Sequence, residues 1–304
     1  MADLWAIETA GLKKNYGGVE AVRGLDLQVP AGSIFGFLGR NGAGKTTTVK
    51  VLLGMAHATS GQVRVFGLDA ASPRASVEIR RRTGFVGEDK DLDGYMTVEQ
   101  MVHFTAGFFP AWRGDLQQRY VHAFELPLDR KVKALSRGTR TKLALLLALC
   151  RGAELLLLDE PTSGLDPAAA EEVLQALVAH VAGEGMTVFF SSHQLAEVDQ
   201  IADHVAIIDA GRITVSGALD DLRERYRRVQ LVFDGAAPDA VFRSPGIERV
   251  ARKGRVLTVL SSAGAERVVA EARALNPVSV EVTPVTLKEI FLETVARDAV
   301  RVED

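Results

Sequence analysis

Eight consecutive residues, Gly39-Arg40-Asn41-Gly42-Ala43-Gly44-Lys45-Thr46, fit the pattern G-x-x-x-x-G-K-[ST] and constrain this chain more than any other feature. They follow the apolar run 34–38 and lead into a helical pattern beginning near Gly44, which is the strand-loop-helix setting the pattern requires. Glycines let successive main-chain N–H groups turn toward one point, where they and a helix N-terminus can hold phosphate oxygens. The loop through Thr47 is therefore expected to cradle a nucleotide's phosphates, with the Lys45 ammonium on the terminal ones and the Thr46 hydroxyl on Mg²⁺.

The rest of the text suits such a loop. Up to about Tyr226, short apolar runs alternate with longer helical ones and glycine marks many joins, which predicts an α/β sheet domain. Strands are expected over 4–9, 21–29, 33–38, 62–66, 83–87, 155–159, 187–191, 204–208 and 212–216, several as continuous apolar runs of the parallel-sheet kind. Between Asp89 and Leu149 strand signals vanish. There a helix opening on a Thr97/Gln100 capping box places Val98, Met101, Val102, Thr105 and Phe108 on one face and closes at Pro110. Further helices over 115–126 and from Thr139 make this stretch an inserted helical subdomain, about 89–150. Beyond Tyr226, strands at 229–233, 247–251, 256–260 and 278–282 with helices at 238–242 and 265–275 read as β-α-β-β-α-β. That is the order of a split βαβ, ferredoxin-like unit, here followed by a helix over 286–296. The join at 219–228 reads as helical and compact.

Composition excludes several classes. With 304 residues, 47% hydrophobic and 25% charged, the chain suits two domains and can bury a sizeable core, so disorder is excluded as its main state. Lys plus Arg number 36 against 39 Asp plus Glu, a net charge of −3 that argues against whole-surface nucleic-acid binding. The longest apolar run, 143–150, is far short of the about 20 residues a spanning helix needs, so no bilayer crossing is expected. Residues 1–8 carry Asp3 and Glu8 ahead of any apolar stretch, unlike a secretion signal. The single Cys150 offers neither a disulfide framework nor a cysteine-ligated metal site, which fits a reducing cytosol.

A second constellation follows far along the chain. Leu155-Leu156-Leu157-Leu158-Asp159-Glu160 is an apolar strand ending in two carboxylates, the first placed where a P-loop ATPase anchors Mg²⁺. Glu160, next in line, can polarise an attacking water, which is general-base work.

Together with these motifs, residues 4–226 resemble the ATP-binding cassette (ABC) family, the nucleotide-binding subunits of ABC transporters. The resemblance implies a P-loop NTPase cassette, with a mixed sheet core, an antiparallel β subdomain and the helical insertion, over about 1–222. A small α+β accessory domain then occupies 223–304. Tyr16 stands at the place of the aromatic that stacks on adenine, a core tyrosine being the alternative. Leu135-Ser136-Arg137-Gly138-Thr139 stands at the family signature, LSGGQ, matching at Ser136 and Gly138, which in the family cap the γ-phosphate held by a second cassette. A purely helix-capping Ser136 is the structural alternative. Ser163-Gly164-Leu165-Asp166 looks like the D-loop that crosses that dimer interface, although Asp166 before Pro167 also reads as an N-cap. His193 matches the switch histidine on the γ-phosphate, and Glu88 takes the Q-loop position, where glutamate can still ligate Mg²⁺. The departures are Glu88 itself, Arg137 and Thr139 in the signature, and Arg40 at a variable place in the phosphate loop.

The implied activity is hydrolysis of ATP, with Mg²⁺, to ADP and phosphate. The implied assembly is a pair of cassettes, identical or different, docked on separately encoded permease subunits at the cytoplasmic face of the cell membrane and acting as an exporter. Phe108, Phe109 and Trp112 are expected either to receive a cytoplasmic loop of the membrane subunit or to form the insertion's own core. The competing reading, a soluble ABC ATPase acting on ribosomes or DNA, calls for a second cassette, a long coiled-coil insertion or strongly basic arms, none of which the sequence has. A GTPase would carry Asn-Lys-x-Asp, whereas Asn15, Asn41 and Asn276 are none of them followed by lysine.

Overall fold

The computed structural model describes residues 5–292. It divides into two compact units, one up to Ser216 and one from Gly217.

The first unit begins with β1 (Trp5–Tyr16) and β2 (Val19–Pro30), a long antiparallel hairpin. Both strands run further than their apolar cores suggested, because the hairpin pairs Tyr16 with Val19 across a tight glycine turn where neither edge is buried. They join β4 (Ser60–Val65) and β5 (Leu68–Asp69) in a sheet of order β2-β1-β4-β5. Between them in sequence lie β3 (Ile34–Gly39) and α1 (Lys45–Leu52). Then follow α2 (Pro73–Arg82), β6 (Thr83–Val86), and the helical insertion of α3 (Val98–Ala106), α4 (Gly114–Ala123) and α5 (Arg137–Leu149). The unit continues through β7 (Leu155–Asp159), α6 (Pro167–Glu184), β8 (Thr187–Ser192), α7 (Leu195–Ile201), β9 (His204–Asp209) and β10 (Arg212–Ala218).

The second sheet has the order β10-β9-β3-β8-β7-β6, in which β9, β3, β8, β7 and β6 run parallel to one another. Every residue of β3, β7 and β8 is buried. Such strands must be apolar on both faces, which is why they read as unbroken runs. Non-consecutive neighbours mean crossovers, so the loops at the carboxyl ends of β3, β7 and β8 gather at one edge, where open parallel sheets bind ligands.

In the insertion, the α3 capping box is present in both directions, Gln100 N–H to Thr97 Oγ1 at 3.2 Å and Thr97 N–H to Gln100 Oε1 at 2.9 Å. Val98, Met101 and Val102 are buried as expected, but the helix stops at Gly107, before Phe108 and Pro110. Phe108 is 65% exposed and meets Phe104 edge-on at 5.1 Å rather than entering the core.

The second unit holds α8 (Leu219–Arg225), β11 (Arg227–Val232), β12 (Ile247–Lys253), β13 (Val256–Ser261), α9 (Ala265–Arg273) and β14 (Ser279–Pro284). Its strands form an antiparallel sheet of order β12-β13-β11-β14. The helix expected at 238–242 is absent. Five residues ahead of Pro245 are too few to offset helix nucleation, and the segment is tied down from outside: Ala237 N–H donates to Gly254 O at 2.9 Å and Arg243 N–H to Glu271 at 2.7 Å. The final expected helix is present over 287–292, and its remainder lies outside the described residues.

Candidate functional site

The phosphate-binding motif closes β3 and opens α1. Gly44 caps α1 at φ +108°, and a Cβ there would lie 2.5 Å from the Ala21 carbonyl oxygen, so only glycine fits. The first turn of α1 carries no acidic residue, which leaves the positive end of its dipole to an external anion. Lys45 lies folded back over the loop, its Nζ donating to Gly39 O at 2.7 Å and Arg40 O at 3.2 Å. Ala43 is buried under the loop, its N–H on Arg40 O at 3.1 Å.

The tips of β7 and β8 complete the site. Glu160 Oε1 lies 3.0 Å from Lys45 Nζ in an ion pair whose side chains are only 7% and 6% exposed. Its other oxygen, Oε2, lies 2.7 Å from His193 Nδ1, so that ring nitrogen carries the proton when the carboxylate is ionised. Ser191 Oγ donates to Asp159 Oδ1 at 2.6 Å and accepts the Glu160 N–H at 3.0 Å, tying the two carboxylate-bearing residues to β8. Asn41, Gly42, Gly44, Lys45, Thr46, Thr47, Glu88, Glu160 and His193 line one cleft of about 270 Å³. A second cavity of about 590 Å³ shares Thr46 and Glu88 with it and adds Asp159.

Thus the fold gathers the phosphate loop, Glu88, Asp159, Glu160 and His193, while four other expected residues stand apart. Tyr16, 46% exposed, lies beneath the Lys14 ammonium, 4.5 Å from its ring centroid, and lines neither cavity. Ser136 caps α5 by accepting the Thr139 N–H at 3.1 Å, and Asp166 caps α6 by accepting the Ala169 N–H at 3.0 Å. A Cβ on Gly138 would be 3.6 Å from Ala169 Cβ and 3.9 Å from Leu165. The signature helix and the Ser163–Asp166 loop therefore face each other within one chain, and both capping alternatives are realised.

Three features escaped sequence reasoning. The Ser191 anchor was hidden in a strand end. Lys90, 6% exposed, donates from Nζ to Glu160 O at 3.0 Å. Burial, and next the Arg137 charge, push its ammonium below the ordinary lysine range, opposed by Glu88, Asp159 and Glu160. Last, Arg137 fills the space a bulky signature residue needs by lying on Gly164: a Cβ there would come 2.4 Å from Arg137 Cζ. Gly164 also has φ +70°, so Gly164→Ala should both strain the backbone and expel the guanidinium, at a cost of about 1 to 3 kcal/mol readable in a denaturant melt. An unchanged melt would show that the guanidinium has no fixed seat there.

Comparison with known proteins places these features in a family. The profile described as "ABC transporter" matches residues 22–163. The daunorubicin/doxorubicin resistance ATP-binding protein DrrA of Streptomyces peucetius is 38% identical over 72% of this chain and 67% of its own. The bacitracin transport ATP-binding protein BcrA of Bacillus licheniformis is 36% identical over 73% and 72%. DrrA3 of Streptomyces coeruleorubidus, a daunorubicin resistance ATP-binding protein, is 34% identical over 98% of both chains. Among solved structures, an ATP-binding subunit of an ABC transporter superposes with a TM-score of 0.65 at 26% identity, over 72% of this chain and 92% of that one. The dimeric bacterial cassette MJ0796, at 21% identity, 70% and 98% coverage and a TM-score of 0.64, shares the fold.

Proposed function

This chain belongs to the ABC transporter family, and from that membership we propose that it is the ATP-hydrolysing subunit of an exporter. It closes with a second cassette around ATP and docks on separately encoded membrane-spanning subunits at the cytoplasmic face. The observation that carries the chemistry is the Glu160 carboxylate held between Lys45 and His193 opposite the phosphate loop. The export direction is supported by relatives named for drug resistance and bacitracin transport. Among the described residues no helix is long and apolar enough to cross a membrane.

The reaction follows from the donors present. The loop N–H groups and Lys45 offset the charge on the transferring phosphoryl group. Glu160 accepts a proton from a water whose oxygen attacks the γ-phosphorus, the bond to the bridging oxygen breaks, and ADP and phosphate leave. His193 orients Glu160 through Nδ1 and meets the γ-phosphate. Thr46, Glu88 and Asp159 line a common cavity and offer only oxygen donors, the set Mg²⁺ favours. Bound there with the nucleotide, Mg²⁺ would neutralise phosphate charge. Tyr16 stacks on adenine. Ser136 and Gly138 cap the γ-phosphate of the second cassette, with Asp166 crossing the interface. The unit after about residue 222 is an accessory domain.

Pairing is testable with the chain alone. Sedimentation of Glu160→Gln is expected to give a dimer with MgATP and a monomer with MgADP; a monomer in both would rule out an identical partner. Arg137→Gly, which restores the signature's second glycine, is expected to leave turnover intact or higher, and complete loss would give the guanidinium a role of its own.

A further inference from the structure

We propose that Lys90 is a positioning residue for Glu160, its ammonium holding the main-chain carbonyl that sets where the carboxylate points. The inference rests on Glu160 being the base and deepens that reading.

Lys90 lies just beyond Glu88, in the loop between β6 and the helical insertion, yet its side chain is as buried as that of Lys45. A buried ammonium needs partners, and this one donates at 3.0 Å to Glu160 O. Glu160 adopts φ +49°, and Lys90 itself φ +49°, a region an L-residue occupies only when its surroundings over-determine it. For Glu160 those surroundings can be named. Ser191 Oγ fixes its N–H, Lys90 Nζ at 3.0 Å and the Ser163 N–H at 3.2 Å share its carbonyl, and Lys45 with His193 hold the two carboxylate oxygens. The Ser191, Lys45 and His193 contacts come from the sheet and the phosphate loop, whereas Lys90 comes from the segment that opens the insertion. Through Lys90, a displacement of that segment changes the peptide plane following Glu160 and so the direction of the base.

The test compares Lys90→Met, Lys90→Arg and Glu160→Gln in the full chain. Loss of alignment at a reacting centre reduces turnover by about tenfold to a hundredfold, so Lys90→Met should lower kcat by that factor with KM for ATP unchanged. Lys90→Arg should recover most of it. Without nucleotide, amide hydrogen exchange across 159–164 should quicken in Lys90→Met and stay slow in Lys90→Arg. Added to Glu160→Gln, Lys90→Met should lower the residual turnover no further, because its effect passes through Glu160. Normal kcat and normal exchange in Lys90→Met would overturn the assignment, as would a full additional loss in the double variant. Unchanged turnover in Glu160→Gln alone would instead remove the base itself. Should Lys90→Met fail to fold, Lys90→Ala, which likewise removes the donor, takes its place under the same outcomes.

Discussion

Glu160→Gln is expected to hydrolyse ATP about 10²- to 10⁴-fold more slowly than the wild-type chain, the range that a positioned general base contributes. The amide is nearly the same shape, so Lys45 and His193 keep neighbours at 3.0 and 2.7 Å, but it cannot accept the proton that the attacking water must lose. MgATP affinity should not fall. The carboxylate competes with the γ-phosphate for the Lys45 ammonium, and removing its charge weakens that competition. Single-turnover phosphate release and equilibrium nucleotide binding separate the two effects. Unchanged turnover would take the base role from Glu160.

Lys45→Ala is expected to do the reverse, weakening ATP binding itself. Hydrogen bonds to a charged group contribute about 1.5 to 3 kcal/mol, so affinity should drop by roughly tenfold to a hundredfold or more. A second cost falls on the fold. Lys45 and Glu160 are a buried pair, and removing one partner leaves a carboxylate without its cation, typically about 3 to 5 kcal/mol. Lys45→Ala combined with Glu160→Gln should therefore be more stable than Lys45→Ala alone, which a denaturant melt of the two variants measures. An unaltered nucleotide affinity would undermine the phosphate-loop assignment.

The site was legible where its chemistry depends on consecutive residues. Gly39 through Thr46 and the run ending in Asp159-Glu160 can be read directly, because a phosphate loop and a buried parallel strand each leave a local pattern. Contacts that cross between loops leave no such pattern. Lys90 reads as one more surface lysine in an acidic stretch, and only the packing of its loop brings it to Glu160 O. Arg137 reads as a departure, and only the turn at Gly164 shows where its guanidinium goes. In the second unit all four strands were legible as strand-like runs, but residues 238–242 resembled a helix because Ala, Asp, Val and Phe are locally permissive there. The outcome was decided by Gly254 and Glu271, which take the N–H groups of the flanking Ala237 and Arg243 from a distance. Phe108 failed similarly: helical spacing put it on the buried face, and Gly107 ended the helix first.

The exporter assignment is tested most directly by affinity capture of the tagged Glu160→Gln chain from gently solubilised membranes of its native cell in the presence of MgATP. The account predicts a stoichiometric polytopic membrane protein in the captured complex. Ribosomal or DNA-repair proteins with no membrane partner would contradict it.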